Sequence, residues 1–258
     1  MANPLPRRAA RGAAALAALQ LLSACAAPTP PSPLTVRVAA TDLTAPLLSD
    51  LIEAYADATP GVTLSPTVLP LSTLNSDLAA GRADLALVAS PDANLFATPL
   101  GYVSWAVVVN PASLLASLSA AQVPTIFGGR VTDWALIGVG GPSGEIQVVS
   151  REEASDAARA FGVSALSGTL LTPNALVAPS WEAMREAVSQ NPNAIGYLPL
   201  PELDATVKPI EMRDRASLRV LIIAVAMQDP TGPARDFLAW AQSETGQKVV
   251  ARRYAPIK

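Results

Sequence analysis

Adjacent carboxylates are the first side chains to weigh for chemistry, and Glu152-Glu153 is such a pair. On a helix, neighbours point about 100° apart, so the two cannot face one substrate atom as acid and base. The chain has no histidine and one cysteine, Cys25. Ser-His-Asp and Cys-His catalysis, Cys/His zinc sites and intramolecular disulfides are thereby excluded. The remaining acids are scattered along the sequence, and no glycine-rich nucleotide loop is present. These residue types assign no catalytic group, no metal and no cofactor, and leave binding as the expected class of function.

Cys25 has other chemistry in prospect. Arg7, Arg8 and Arg11 precede an apolar run over residues 12–22 that is too short to span a bilayer, which is the pattern of a signal peptide. The run ends Leu22-Ser23-Ala24-Cys25, which resembles the lipobox of bacterial lipoproteins. The resemblance implies removal of residues 1–24 and acylation of Cys25, and residues 25–33, rich in proline, read as an extended tether. The whole chain carries 18 basic and 21 acidic residues; without the three leader arginines it carries 15 against 21, a net charge of −6. With no basic patch to neutralise phosphates, nucleic acid is excluded as a partner.

The elements that would position a site alternate in type. Residues 34–40 (LTVRVAA) read as a strand, and Leu47, Leu48, Leu51, Ile52 and Tyr55 fall at helical spacing after Thr44 as N-cap, with Pro60-Gly61 as the stop. A strand over 62–69, a short helix from Ser72 to Gly81 and a buried strand over 84–89 follow. Residues 101–110 read as a strand and 111–121 as a leucine-rich helix, with the chain crossing between two lobes in this region. Helices over 154–161 and 181–190, strands over 146–149, 194–198 and 218–227, and two final helices over 233–242 and 245–253 complete an α/β pattern.

Three stretches resemble the phosphate-type periplasmic solute-binding proteins, the receptors of phosphate ABC importers. They are residues 126–134 (IFGGRVTDW), residues 194–198 (AIGYL) after Asn191-Pro192-Asn193, and a tail with Phe237, Trp240, Gly246-Gln247, Val250 and Tyr254-Ala255-Pro256. The resemblance implies a two-lobed type II periplasmic-binding-protein fold, each lobe a mixed sheet flanked by helices, with ligand in the cleft between them. It places lobe 1 at 34–104 and 205–258 and lobe 2 at 105–204. Trp134 and Trp181 read as core or packing residues and not as platforms for sugars.

The family's three binding loops map onto this chain unevenly. In the first, Thr41 keeps a hydroxyl and the amides of Asp42 and Leu43 are in place, while Thr44 reads as a helix cap. In the second, Ser90 and Asp92 stand after the strand ending at Ala89; the carboxylate of Asp92 would accept a hydrogen bond from a protonated phosphate oxygen, and Ser90-Pro91-Asp92 reads equally as a turn. In the third, Arg151 and Ser155 match the family's arginine and serine, but Ala154, Asp156 and Ala157 replace two glycines and a threonine. Asp156 would then repel an anion, or cap the following helix facing solvent and leave Arg151 to pair with Glu152, Glu153 or Asp156 itself. The resemblance implies a monomeric, extracytoplasmic, lipid-anchored receptor for phosphate or a related small oxyanion, with a membrane ABC permease as partner and no enzymatic activity. The alternative is a surface or sensor protein that keeps the fold but has a degenerate anion site.

Overall fold

The alternation in LTVRVAA makes β1 (Leu34–Ala40), in which Val36 and Val38 are buried and Thr35 and Arg37 face out. The computed structural model describes residues 1–2, 34–91, 94–138, 143–214 and 218–257, so the leader, Cys25 and the proline-rich tether lie outside the described residues. Residues 1–32 and 33–258 form separate units. In the second unit, α1 (Ala45–Ala58) buries Leu47, Leu48, Leu51 and Tyr55 against the sheet, and β2 (Val62–Val68) pairs with β1 in parallel along its length, from Leu34↔Val62 to Ala40↔Val68. β2 is an edge strand, which is where Pro66, without an N–H, is tolerated.

The chain continues through α2 (Leu71–Ala79), β3 (Leu85–Val88), β4 (Phe96–Val109), β5 (Ser117–Leu118), α3 (Gln122–Phe127), β6 (Gln147–Ser150), α4 (Asp156–Ala165), β7 (Leu176–Val177), α5 (Trp181–Gln190) and β8 (Ala194–Pro199). It closes with β9 (Lys208–Pro209), β10 (Glu211–Met212), β11 (Arg219–Ala226), α6 (Gly232–Gln242), α7 (Glu244–Val250) and β12 (Ala255–Pro256). The main sheet runs β2-β1-β3-β11-β4-β8-β6-β7. β1, β2 and β3 are parallel, and β11 lies antiparallel between β3 and β4. β4 is the shared strand: residues 96–104 pair with β11, and residues 105–109 pair with β8, which is parallel to β6. The molecule is a two-lobed α/β fold with a mixed sheet in each lobe. No helix among the described residues is long and apolar enough to cross a membrane.

Aromatic packing differs between the lobes. Tyr55 meets Phe237 and Trp240 edge-on at 5.2 and 5.1 Å, joining α1 to α6. In the other lobe Phe161 stacks flat on Tyr197 at 3.8 Å, with Trp105 edge-on to both. Trp134 is fully buried and its Nε1–H donates to the Asn193 carbonyl at 3.0 Å. Two glycines are required by close approach. A Cβ on Gly196 would meet Met184 Sδ at 2.8 Å, and one on Gly246 would meet Ala241 backbone at 2.6 Å.

Two sequence expectations are overturned. Residues 111–121 are not a helix: Asn110 Oδ1 accepts from the Ala112 amide at 2.9 Å and Ser113 Oγ from Leu115 at 3.3 Å, side-chain bonds that keep residues 110–115 out of helix, after which Ser117–Leu118 form β5 and α3 begins only at Gln122. Thr44 is not a side-chain cap of α1; its hydroxyl accepts from the Thr41 amide at 3.1 Å and donates to the Leu87 carbonyl at 2.6 Å, lacing β1 to β3.

Candidate functional site

Loops that follow parallel strands leave the sheet at the strands' carboxyl ends, where open α/β sheets bind ligands. Three such loops meet here. Thr41 and Asp42 follow β1, Ala89 and Ser90 follow β3, and Arg151 follows β6. The first two belong to one part of the sheet and the third to the other, so the meeting point bridges the two lobes.

At its centre is Asp156, the first residue of α4 and only 1% exposed. Its Oδ2 accepts from Thr41 Oγ1 at 2.8 Å and from the Ala89 amide at 2.9 Å, its Oδ1 lies 3.1 Å from the same amide, and the Ser90 amide also donates to it. Burial pushes this carboxyl above the ordinary range of 3.8, the donors from Ala89, Thr41 and Ser90 pull it back in part, and the neighbouring charge of Asp42 pushes it up again. The solvent-facing cap foreseen for Asp156 is therefore wrong. α4 already has its cap in Ser155, whose hydroxyl accepts from the Ala158 amide at 3.1 Å and donates to the Glu152 carbonyl at 2.6 Å, so the Asp156 side chain is free to turn inward across the cleft.

Arg151 is 8% exposed and fixed on four sides. Its guanidinium pairs with Asp42 of the opposite lobe, and Nη1–H donates to the Ala178 carbonyl at 2.8 Å. The Trp181 ring lies beneath it at 4.9 Å, and its backbone N–H donates to Tyr197 Oη at 3.2 Å. The expected pairing with Glu152, Glu153 or Asp156 is replaced by Asp42, because the cleft brings β1 to β6 where sequence neighbours point elsewhere. Nε of Arg151 and Oγ of Ser90 are buried with no hydrogen-bond partner among the described residues. Tyr197 Oη is also within 3.1 Å of Ser150 Oγ, and burial raises its phenol, with the Ser150 hydrogen bond offsetting part of the rise.

Thr41, Asp42, Ser90, Arg151, Ser155 and Asp156 are thus gathered in one place. Of the other assigned residues, Leu43 buries its side chain in the core, and Asp92 lies outside the described residues. Trp181 and Tyr197 are positioning residues that sequence reasoning did not assign to the site; the Trp181 helix and the 194–198 motif carried the signal, but as packing. A cavity of about 360 Å³ opens beside the Asp156 carboxylate, walled by Leu69, Pro70 and Leu71 opposite Asp42 and Arg151. A larger hollow of about 800 Å³ lies elsewhere, by the start of β1, α2 and the start of α6. Its carboxylates, Asp84 and Asp229, are already paired with Arg37 and Arg235, so the smaller cavity is the better-built site.

Comparison with known proteins supports the same architecture. Residues 26–244 match the model of a PBP superfamily domain. An ABC-type phosphate transport receptor from Vibrio cholerae superposes with a TM-score of 0.72 at 22% identity over 86% of this chain and 100% of its own. A putative phosphate ABC transporter substrate-binding protein from Clostridium perfringens, with bound phosphate, superposes with a TM-score of 0.75 at 21% identity over 87% of this chain and 100% of its own. The OxyR2 regulatory domain from Vibrio vulnificus, in a cysteine-to-serine variant, shares the fold at a TM-score of 0.61 and 14% identity, over 86% of this chain and 96% of its own. No curated protein matches by sequence. With the match spanning most of its length and the two-lobed fold in place, the chain belongs to the PBP superfamily.

Proposed function

We propose that the protein is an extracytoplasmic, lipid-anchored solute-binding protein of an ABC importer, binding phosphate or a related small oxyanion between its lobes and catalysing nothing. The observation that carries this reading is the convergence of Thr41 Oγ1 and the Ala89 and Ser90 amides on one buried point suited to negative charge, with Arg151 of the other lobe lining the same cavity. The printed descriptions of the Vibrio cholerae and Clostridium perfringens structures support it. The lobes are taken as 34–104 with 205–258, and 105–204; residues 208–212 pair with β4 and β5, on the second lobe's side of the division. The solute-bound form, with both lobes engaged, docks as a monomer on a membrane permease. Cys25 is the lipid attachment point, residues 1–24 the leader and 25–33 the tether.

A second reading, a surface or sensor protein with a different ligand or none, is favoured by the carboxylate of Asp156 in the cleft, and the OxyR2 regulatory domain supports it as a use of the same fold. Thermal unfolding of residues 33–258 with phosphate, sulfate, molybdate and organic anions at up to about 10 mM separates the two, since a ligand of the native state raises the melting temperature by mass action. An anion-specific rise that disappears in Arg151→Ala supports the receptor. No rise with any member of the panel counts against it and for the second reading.

A further inference from the structure

Asp156 has the surroundings of a bound anion. Its carboxylate is buried, receives hydrogen bonds from a hydroxyl and two amides, and is not paired with a basic side chain among the described residues, because Arg151 is engaged by Asp42. Uncharged donors converging from two strand ends form the kind of cradle that receives a small oxyanion. The carboxylate reaches that cradle from α4, on the far side of the cleft from β1 and β3, and so joins the lobes as a bridging solute would. Arg151–Asp42 adds a second tie across the same gap.

We propose that the Asp156 carboxylate is a built-in ligand: in the empty protein it occupies the oxyanion cradle and holds the lobes together, and a free oxyanion must displace it to enter. This deepens the receptor reading and rests on its assignment of the cradle as an oxyanion site. A carboxylate held by the short Cβ link to a capped helix competes at a high effective concentration, so a dissolved oxyanion enters only when it is abundant or intrinsically better bound. An incoming dianion also meets the like charges of Asp156 and Asp42 in a partly dry cleft. The cavity of about 360 Å³ beside the carboxylate gives the displaced side chain and the arriving solute room. The buried Nε–H of Arg151, without a partner among the described residues, is a donor kept for the newcomer. The consequence is a receptor with a high threshold, responding only where its oxyanion is abundant.

The test is calorimetric titration of the full-length chain with inorganic phosphate, and in turn with sulfate and molybdate, alongside Asp156→Gly and, should that variant fold poorly, Asp156→Ala, which keeps a good helix former at the start of α4. Removing the carboxylate is expected to tighten phosphate binding by about a hundredfold or more. Small-angle scattering should show the empty wild type as compact as its phosphate-soaked form, whereas the variants should be more open when empty and contract on adding phosphate. Binding by the variants with none by wild type at any concentration leaves the built-in ligand standing and removes phosphate from the receptor reading. Equal or tighter binding by wild type overturns the built-in ligand and leaves the receptor intact. Folded variants that bind none of phosphate, sulfate and molybdate overturn it too, since the cradle is then no oxyanion site, and the receptor reading falls back on the organic anions of the panel.

Discussion

Asp156 shows how one side chain changes meaning between sequence and structure. An aspartate at the first position of a helix ordinarily favours the helix dipole while facing water; here Ser155 does the capping and Asp156 turns into the cleft. Its carboxyl is raised in the folded protein mainly by burial, so protonation is easier folded than unfolded. The sign follows by linkage: between the ordinary value of 3.8 and the raised folded value, the native state binds more protons, and stability grows as pH falls through that window. The charges that face it are Asp42 and, through its pairing with Asp42, Arg151. Asp156→Asn removes the effect. Chemical denaturation across pH is expected to show the difference in unfolding free energy, wild type minus variant, increasing on acidification through the window and level on either side. A difference that falls on acidification would mean that the donors outweigh burial. The exposed pair Arg37–Asp84 acts in the opposite sense, since its hydrogen bond lowers the Asp84 carboxyl, and it cancels in the comparison because both proteins retain it.

At the scale of elements, the site depends on α4 starting where it does. Ser155 accepts from the Ala158 amide, and its loss in Ser155→Ala should cost about 1 kcal/mol in an unfolding titration. If Ser155 were a ligand hydroxyl only, stability would be unchanged and affinity alone would fall. The resemblance motifs also have element-scale reasons. Gly246 lets α7 begin against the end of α6, and Gly246→Ala would drive a Cβ into rigid backbone, with an expected cost of roughly 3 kcal/mol. Gly196→Ala meets the flexible Met184 thioether instead and should cost less, about 1 to 2 kcal/mol, so the two melting temperatures should rank accordingly. Most strands and helices were readable because their apolar periods are strong: the α5 range agrees with its reading from the sequence, and β1 does likewise. The stretch 111–121 was not, because Leu114, Leu115 and Leu118 imitate a helical stripe while Asn110 and Ser113 bind their own backbone.

For the whole molecule, β4 connects the lobes and the loops after β1, β3 and β6 meet at the cleft, so on the proposed receptor reading lobe motion and site occupancy are one equilibrium. The proposed lipid anchor belongs to the same scale, since it would confine that clamp to a membrane surface. Wild-type chain expressed in a bacterium is expected in the detergent phase after phase partitioning, and Cys25→Ser in the aqueous phase; a detergent-phase Cys25→Ser protein would remove the lipoprotein reading. The sequence by itself determined the alternating α/β order and the exclusion of histidine- and cysteine-based chemistry, because composition and apolar period are local properties, and its resemblance to a known family singled out the loops that carry Thr41, Ser90 and Arg151. Only the tertiary structure decided that Asp42 pairs with Arg151 and that Asp156 reaches Thr41 and Ala89, contacts between residues 109, 115 and 67 positions apart in the chain. Such contacts depend on which sheet ends the fold brings together, and no local pattern of residues records that.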